Sequence, residues 1–239
     1  MTCFLTSSPV APDGVGLNPG NRFVEELRAC LPSDCAALYV CADPDDHERM
    51  AGYAGDMKGF MKASGFTFRS CTLLDGRNRR DAGELVRRSD LVILGGGHTP
   101  TQNRFLRQLG LRDLLRDYQG VVLGISAGSM NSAALVYAQP EEAGEAIDPS
   151  YQRFLPGLGL TDTMLLPHYQ LVKDAVLDGL RVFEDITYPD SMGRRFYALI
   201  DGSYLFVRDG REELRGEAYR IEDGRLAQIC RDGDTIILS

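Results

Sequence analysis

The chain has 239 residues, 44% of them hydrophobic, with 26 Lys and Arg against 34 Asp and Glu and a formal charge of −8. This is a globular mixture, long enough to bury a core without disulfides or a structural metal. The acidic balance excludes a general binder of nucleic acid or of anionic membranes, and no stretch approaches the ~18–20 uninterrupted apolar residues of a membrane span.

Short apolar runs at Thr2–Thr6, Ala36–Val40, Thr67–Leu73, Leu91–Leu94 and Val121–Ile125 predict buried strands. Helical spacing lies between them. Phe23, Leu27, Cys30 and Leu31 form one stripe; Met50, Tyr53, Ala54, Met57, Phe60 and Met61 a second; Leu111, Leu114, Leu115 and Tyr118 a third. The methionines read as core packing rather than a ligand box. Apolar strands alternating with helices imply a parallel sheet covered on both faces. From Tyr204 the pattern changes to short strand-like runs at Tyr204–Val207, Ala218–Ile221, Leu226–Cys230 and Thr235–Leu238. Asp209-Gly210, Asp223-Gly224 and Asp232-Gly233 supply turns among them, so antiparallel hairpins are expected along the sheet's edge. With no repeat, low-complexity tract or linker, residues 1–239 read as one α/β domain. Six cysteines without CxxC spacing, and a first cationic side chain only at Arg22, lead to the expectation of reduced thiols and a cytoplasmic protein.

Gly124-x-Ser126-x-Gly128 directly follows a buried strand and precedes a helix-compatible run. A serine on a sharp strand-to-helix turn needs small neighbours, which Gly124, Ala127 and Gly128 provide. The helix that follows aims free N–H groups and its positive end at the same spot, which suits a developing oxyanion. A second cluster, Gly95-Gly96-Gly97-His98, follows the preceding strand, and both loops fall at carboxyl ends of strands, where open α/β sheets bind ligands. The cluster fails the dinucleotide fingerprint because its last glycine position is Pro100, and no phosphate-loop motif exists.

Three histidines are candidates for a base: His47 in an acidic helix start, His98 beside the glycines, and His168 after the apolar run Met164–Pro167. His168 is the favoured base and His98 the reserve. No pair has zinc-ligand spacing, so neither a metal nor an organic cofactor is expected. Asp201, after the apolar run Phe196–Ile200, is the first choice for orienting the imidazole, with Glu141, Glu142, Asp148, Asp162 and Asp185 as alternatives. The order Ser126, His168, Asp201 differs from the Ser–acid–His order of the α/β-hydrolases, which would crowd an acid and a base into the stretch from Ser126 to His168.

The ordered elements Gly95-Gly-Gly97, Gly124-Ile-Ser-Ala-Gly128 and Pro167-His168 resemble the S51 serine peptidases, which include aspartyl dipeptidase (peptidase E) and cyanophycinase. The resemblance covers roughly Cys35 to Arg208. It implies a three-layer, flavodoxin-like (class I glutamine amidotransferase-like) α/β fold. It also implies Ser126 as nucleophile, His168 as base, a carboxylate near Ala198–Gly202 and hence Asp201. An oxyanion hole would map to the N–H groups of Ala127 and the glycine cluster, with Gly97 favoured and Gly96 and His98 beside the substrate. The chain departs from dipeptidase members in carrying His98 where Asn is common, Asp201 where Glu is usual and Leu166 in place of Asn, so aspartyl specificity is not carried over. The resulting expectation is a serine-type peptidase acting on small peptides. The rival readings are another serine hydrolase, esterase or amidase, and a non-catalytic binding member of the fold. Small peptides are the expected partners, further copies of the chain an open option, and nucleic acid and membrane are not expected.

Overall fold

The computed structural model describes Met1–Leu238. Strand and helix alternate through its first half: β1 (Thr2–Thr6), α1 (Phe23–Cys30), β2 (Cys35–Val40), α2 (His47–Ala63), β3 (Phe68–Leu74), α3 (Ala82–Arg88), β4 (Leu91–Leu94), α4 (Thr99–Gln108), α5 (Leu111–Leu115), β5 (Val121–Ile125) and α6 (Ala127–Met130). Short elements follow: β6 (Leu135–Tyr137), β7 (Phe154–Pro156), β8 (Met164–Leu166), α7 (Tyr169–Val172), β9 (Val176–Leu177), β10 (Leu180–Arg181) and α8 (Tyr188–Asp190). The chain then runs through β11 (Arg195–Leu199), β12 (Tyr204–Arg208), β13 (Arg211–Arg215), β14 (Ala218–Glu222), β15 (Arg225–Cys230) and β16 (Thr235–Leu238).

The main sheet has eight strands in the order β16-β13-β12-β1-β5-β4-β2-β3. The five from β1 to β3 are mutually parallel, and β12, β13 and β16 extend the β1 edge in antiparallel fashion. Alternation along the strands sorts the core onto two faces. Leu38, Val40, Val92, Leu94 and Val122 pack under α3, α4 and α5, whereas Tyr39, Ile93 and Leu123 pack under α1 and α2. The molecule is thus an α/β fold with a mostly parallel sheet between helical layers. Met50, Met57 and Met61 are buried as the helical stripe required, while Tyr53 on the same helix is exposed.

The C-terminal hairpins do not all join that edge. β14 and β15 form a second, four-stranded sheet in the order β15-β14-β11-β8. One face of this sheet, through Leu165, Tyr197 and Leu199, joins the main core, and the other, through Leu166, Phe196 and Ile221, makes its own core with Tyr137 and Phe183. Tyr137 stacks on Phe196 with ring centroids 4.3 Å apart. All six cysteines are free. Among the described residues no helix is long and apolar enough to cross a membrane.

Candidate active site

Ser126 sits between the end of β5 and the start of α6 at φ 51°, ψ −114°. A non-glycine residue held there carries on the order of 1–3 kcal/mol of backbone strain. The surroundings hold it in place. Its N–H donates to the carbonyls of Thr6 and Ser7 at 3.1 and 3.2 Å, and its own carbonyl accepts from the Ser129 and Met130 amides at 2.8 and 3.0 Å. The small neighbours are obligatory, since a Cβ on Gly128 would collide with the Leu94 carbonyl and one on Gly124 would lie 2.9 Å from Ser129 Oγ.

His168 and Asp201 come from the second sheet. β8 and β11 run parallel, with Leu166 opposite Ala198, so the residues just beyond their carboxyl ends emerge side by side. His168 adopts a left-handed conformation, φ 59° and ψ 29°, which turns the chain out of β8 into α7. Its Nε2 lies 2.9 Å from Ser126 Oγ and its Nδ1 lies 2.7 Å from Asp201 Oδ1. A carboxylate at Nδ1 selects the tautomer that donates there, leaving Nε2 as an acceptor for the serine hydroxyl. Burial works to raise the Asp201 pKa, but hydrogen bonds from His168 and Ser7 outweigh it and hold the carboxyl below its ordinary value.

Sequence reasoning did not single out Ser7. Fully buried just beyond β1, its Oγ accepts the His168 backbone N–H at 2.7 Å and donates to Asp201 Oδ1 at 2.6 Å. Gln170 adds a further tie, its Oε1 accepting the Asp201 N–H at 3.2 Å. A polar residue ending an apolar strand was the only available signal for Ser7, and many strands end that way.

The glycine loop runs alongside the serine: a Cβ on Gly96 would lie 3.5 Å from Ser126 Cβ. Gly97 has φ +148°, and a Cβ there would meet Ala42 Cβ at 2.6 Å, so only glycine fits. The N–H groups of Gly97 and Ala127 donate to no backbone or side-chain acceptor among the described residues. Free amides beside a hydroxyl can hold a developing oxyanion.

His98 is not brought to Ser126. It caps the start of α4, with Nδ1 2.8 Å from Thr101 Oγ1 and Nε2 2.8 Å from Glu145 Oε1. His98, Glu142 and Glu145 also bring metal-type ligand atoms within 4.8 Å of one another, but both imidazole nitrogens are already engaged. His47 begins α2, with Nδ1 3.6 Å from Asp75 Oδ2, and does not line the cavity at Ser126. None of the other acids considered from the sequence bonds His168. Glu141 accepts the Thr99 amide, Glu142 lies beside Glu145, Asp148 turns to Ser150, Asp185 pairs with Arg181, and Asp162 is exposed.

A cavity of about 270 Å³ opens beside Ser126 and His168. Its walls include Met130, Leu166, Val172, Leu177 and Val182, and Glu141 lines it as well.

Two solved structures share this fold across nearly the whole chain. A peptidase from an acI-B1 Actinobacterium aligns with a TM-score of 0.67 at 14% identity, over 99% of this chain and 96% of its own. A putative peptidase E protein from Listeria monocytogenes EGD-e aligns with a TM-score of 0.59 at 17% identity, over 100% and 98%. No curated protein matches the chain. The sequence pattern of peptidase family S51 matches residues 45–215, a span that holds Ser126, His168, Asp201 and the glycine loop, and the chain belongs to that family.

Proposed function

We propose that this peptidase works by a serine mechanism on short peptides, with Ser126 as nucleophile, His168 as general base and acid, and Asp201 orienting the imidazole. The observation that carries the reading is the unbroken hydrogen-bonded line from Ser126 Oγ through His168 to Asp201, at 2.9 and 2.7 Å. Ser126 Oγ attacks the scissile carbonyl carbon as its proton passes to His168 Nε2. The N–H groups of Ala127 and Gly97 hold the resulting oxyanion. Collapse breaks the C–N bond, His168 delivers its proton to the leaving amine, and an ester remains on Ser126. Water then attacks that ester, giving its proton to His168, and the acid product leaves as the proton returns to the serine. The 270 Å³ cavity lies just below the roughly 300–1,000 Å³ of drug-sized sites, which supports a small peptide over an extended one.

The test is active-site labelling with a fluorophosphonate, read by mass spectrometry, alongside peptide hydrolysis. The native chain is expected to be labelled at Ser126 and to lose labelling on denaturation. Ser126→Ala should lower kcat on the order of 10⁴- to 10⁶-fold. Undiminished hydrolysis in that variant would overturn the assignment.

A further inference from the structure

The cavity beside Ser126 combines two features that point to one kind of side chain. Its long walls are aliphatic, supplied by Leu166, Val172, Ala175, Val176 and Leu177, and its lining includes one carboxylate, Glu141, and no Lys or Arg among the described residues. Glu141 is exposed to solvent yet held in place by hydrogen bonds. Its Oε1 accepts the Thr99 amide at the start of α4 at 2.9 Å, and its own N–H donates to Glu145 Oε2 at 2.9 Å. Glu145 is fixed in turn by His98 at 2.8 Å. Glu141 Oε2 has no hydrogen-bond partner among the described residues. Desolvation raises the Glu141 pKa, against the opposing pull of its Thr99 hydrogen bond and of His98 nearby.

Resting on the serine-peptidase reading above, we propose that the cavity receives the side chain of the residue whose carbonyl Ser126 attacks, and that Glu141 selects Lys or Arg there. The aliphatic stem of such a side chain covers the apolar walls, and its cationic head reaches the free oxygen of Glu141. An Asp or Glu side chain meets a like charge at the same place, because the amide at the start of α4 is already taken by Glu141 itself. Specificity of this kind comes as much from the repulsion as from the new pair.

The experiment uses three N-acylated α-aminoalkyl phosphonate diphenyl esters carrying the Lys, Leu or Asp side chain. The rate at which each modifies Ser126 in the full chain is followed by intact mass, and the fluorophosphonate counts competent sites. The Lys reagent is expected to react about two- to fivefold faster than the Leu reagent, the scale of a partly exposed ion pair, and the Asp reagent slowest. Glu141→Gln should collapse the Lys-to-Leu ratio toward one, and Glu141→Lys should move the preference toward the Asp reagent. Fluorophosphonate labelling of each variant shows that its site is assembled. A native preference for Asp, or a Lys-to-Leu ratio that Glu141→Gln leaves unchanged, overturns the inference while the serine mechanism stands. Failure of the fluorophosphonate to label native Ser126 overturns both.

Discussion

At Ser126 the backbone stores strain that only the surrounding hydrogen bonds sustain, and Ser7 shows how closely they are shared. One hydroxyl fixes the His168 main chain and the Asp201 carboxylate together, from a fully buried position. Ser7→Ala leaves both partners short of a hydrogen bond, a penalty of about 1–3 kcal/mol. Because Ser7 acts through His168 and Asp201, the loss is expected in kcat, roughly ten- to a hundredfold, with KM nearly constant; steady-state kinetics on a short peptide separates the two. Asp201→Asn removes the acceptor that selects the working tautomer, and kcat is expected to fall on the order of 10⁴-fold with the fold intact.

Asp201 also ties the site to acid stability. Its folded pKa is lowered, so its contribution is complete above the ordinary carboxylate value of 3.8 and disappears as pH falls through the lowered one. Urea midpoints measured stepwise from about pH 5 to pH 2 should therefore fall more gently for Asp201→Asn than for the unsubstituted chain. Parallel curves would remove Asp201 from the acid transition. In the sequence Asp201-Gly202 looks like the Asp-Gly turns at 209, 223 and 232. What distinguishes it is the neighbouring strand β8, and no local pattern announces that partner.

Among elements, the turn from β5 into α6 depends on glycines more than on helix propensity, since α6 has only four residues. Gly128→Ala presses a methyl group into the Leu94 carbonyl, a backbone atom that cannot swing aside. A destabilisation of about 1–3 kcal/mol is expected, together with loss of fluorophosphonate labelling. Guanidinium titration and the labelling assay check the two halves of that outcome. Strands β1, β4, β5 and β16 coincide with their apolar runs, and β2 and β3 differ by a residue at their ends. Among the elements that left no comparable trace are α4 and β13. α4 carries Thr99, Gln102 and Asn103 into the interior, where they bond to Gly95, Asn131 and neighbouring groups, so polar residues occupy its inward face. β13, Arg-Glu-Glu-Leu-Arg, is charged throughout except at Leu214, the residue it buries.

Over the whole molecule the site is a seam between two sheets. Ser7 and Ser126 lie just beyond the ends of β1 and β5 in the main sheet, while His168 and Asp201 lie just beyond the ends of β8 and β11 in the second. The core under the second sheet therefore sets the distance across the seam. Phe196, fully buried on β11 and stacked on Tyr137, lies in that core on the strand that leads to Asp201. Phe196→Ala is expected to cost about 3–5 kcal/mol and to lower kcat as well, whereas a cavity of equal size under the far edge of the main sheet would affect stability alone. Denaturant unfolding paired with kinetics makes that comparison.

The sequence by itself determined the alternation of buried strands and helices, the small residues of the turn at Ser126, the adjacent glycine loop and the candidacy of His168. Each is written in local periodicity or in close steric demand. The tertiary structure alone decided which of six acids stands behind the imidazole, that Ser7 joins them, that His98 turns away to Glu145, and that the late hairpins divide between two sheets. Those outcomes depend on contacts between residues far apart in the chain, and a hydrogen bond or packing contact of that kind leaves no periodic mark at either end.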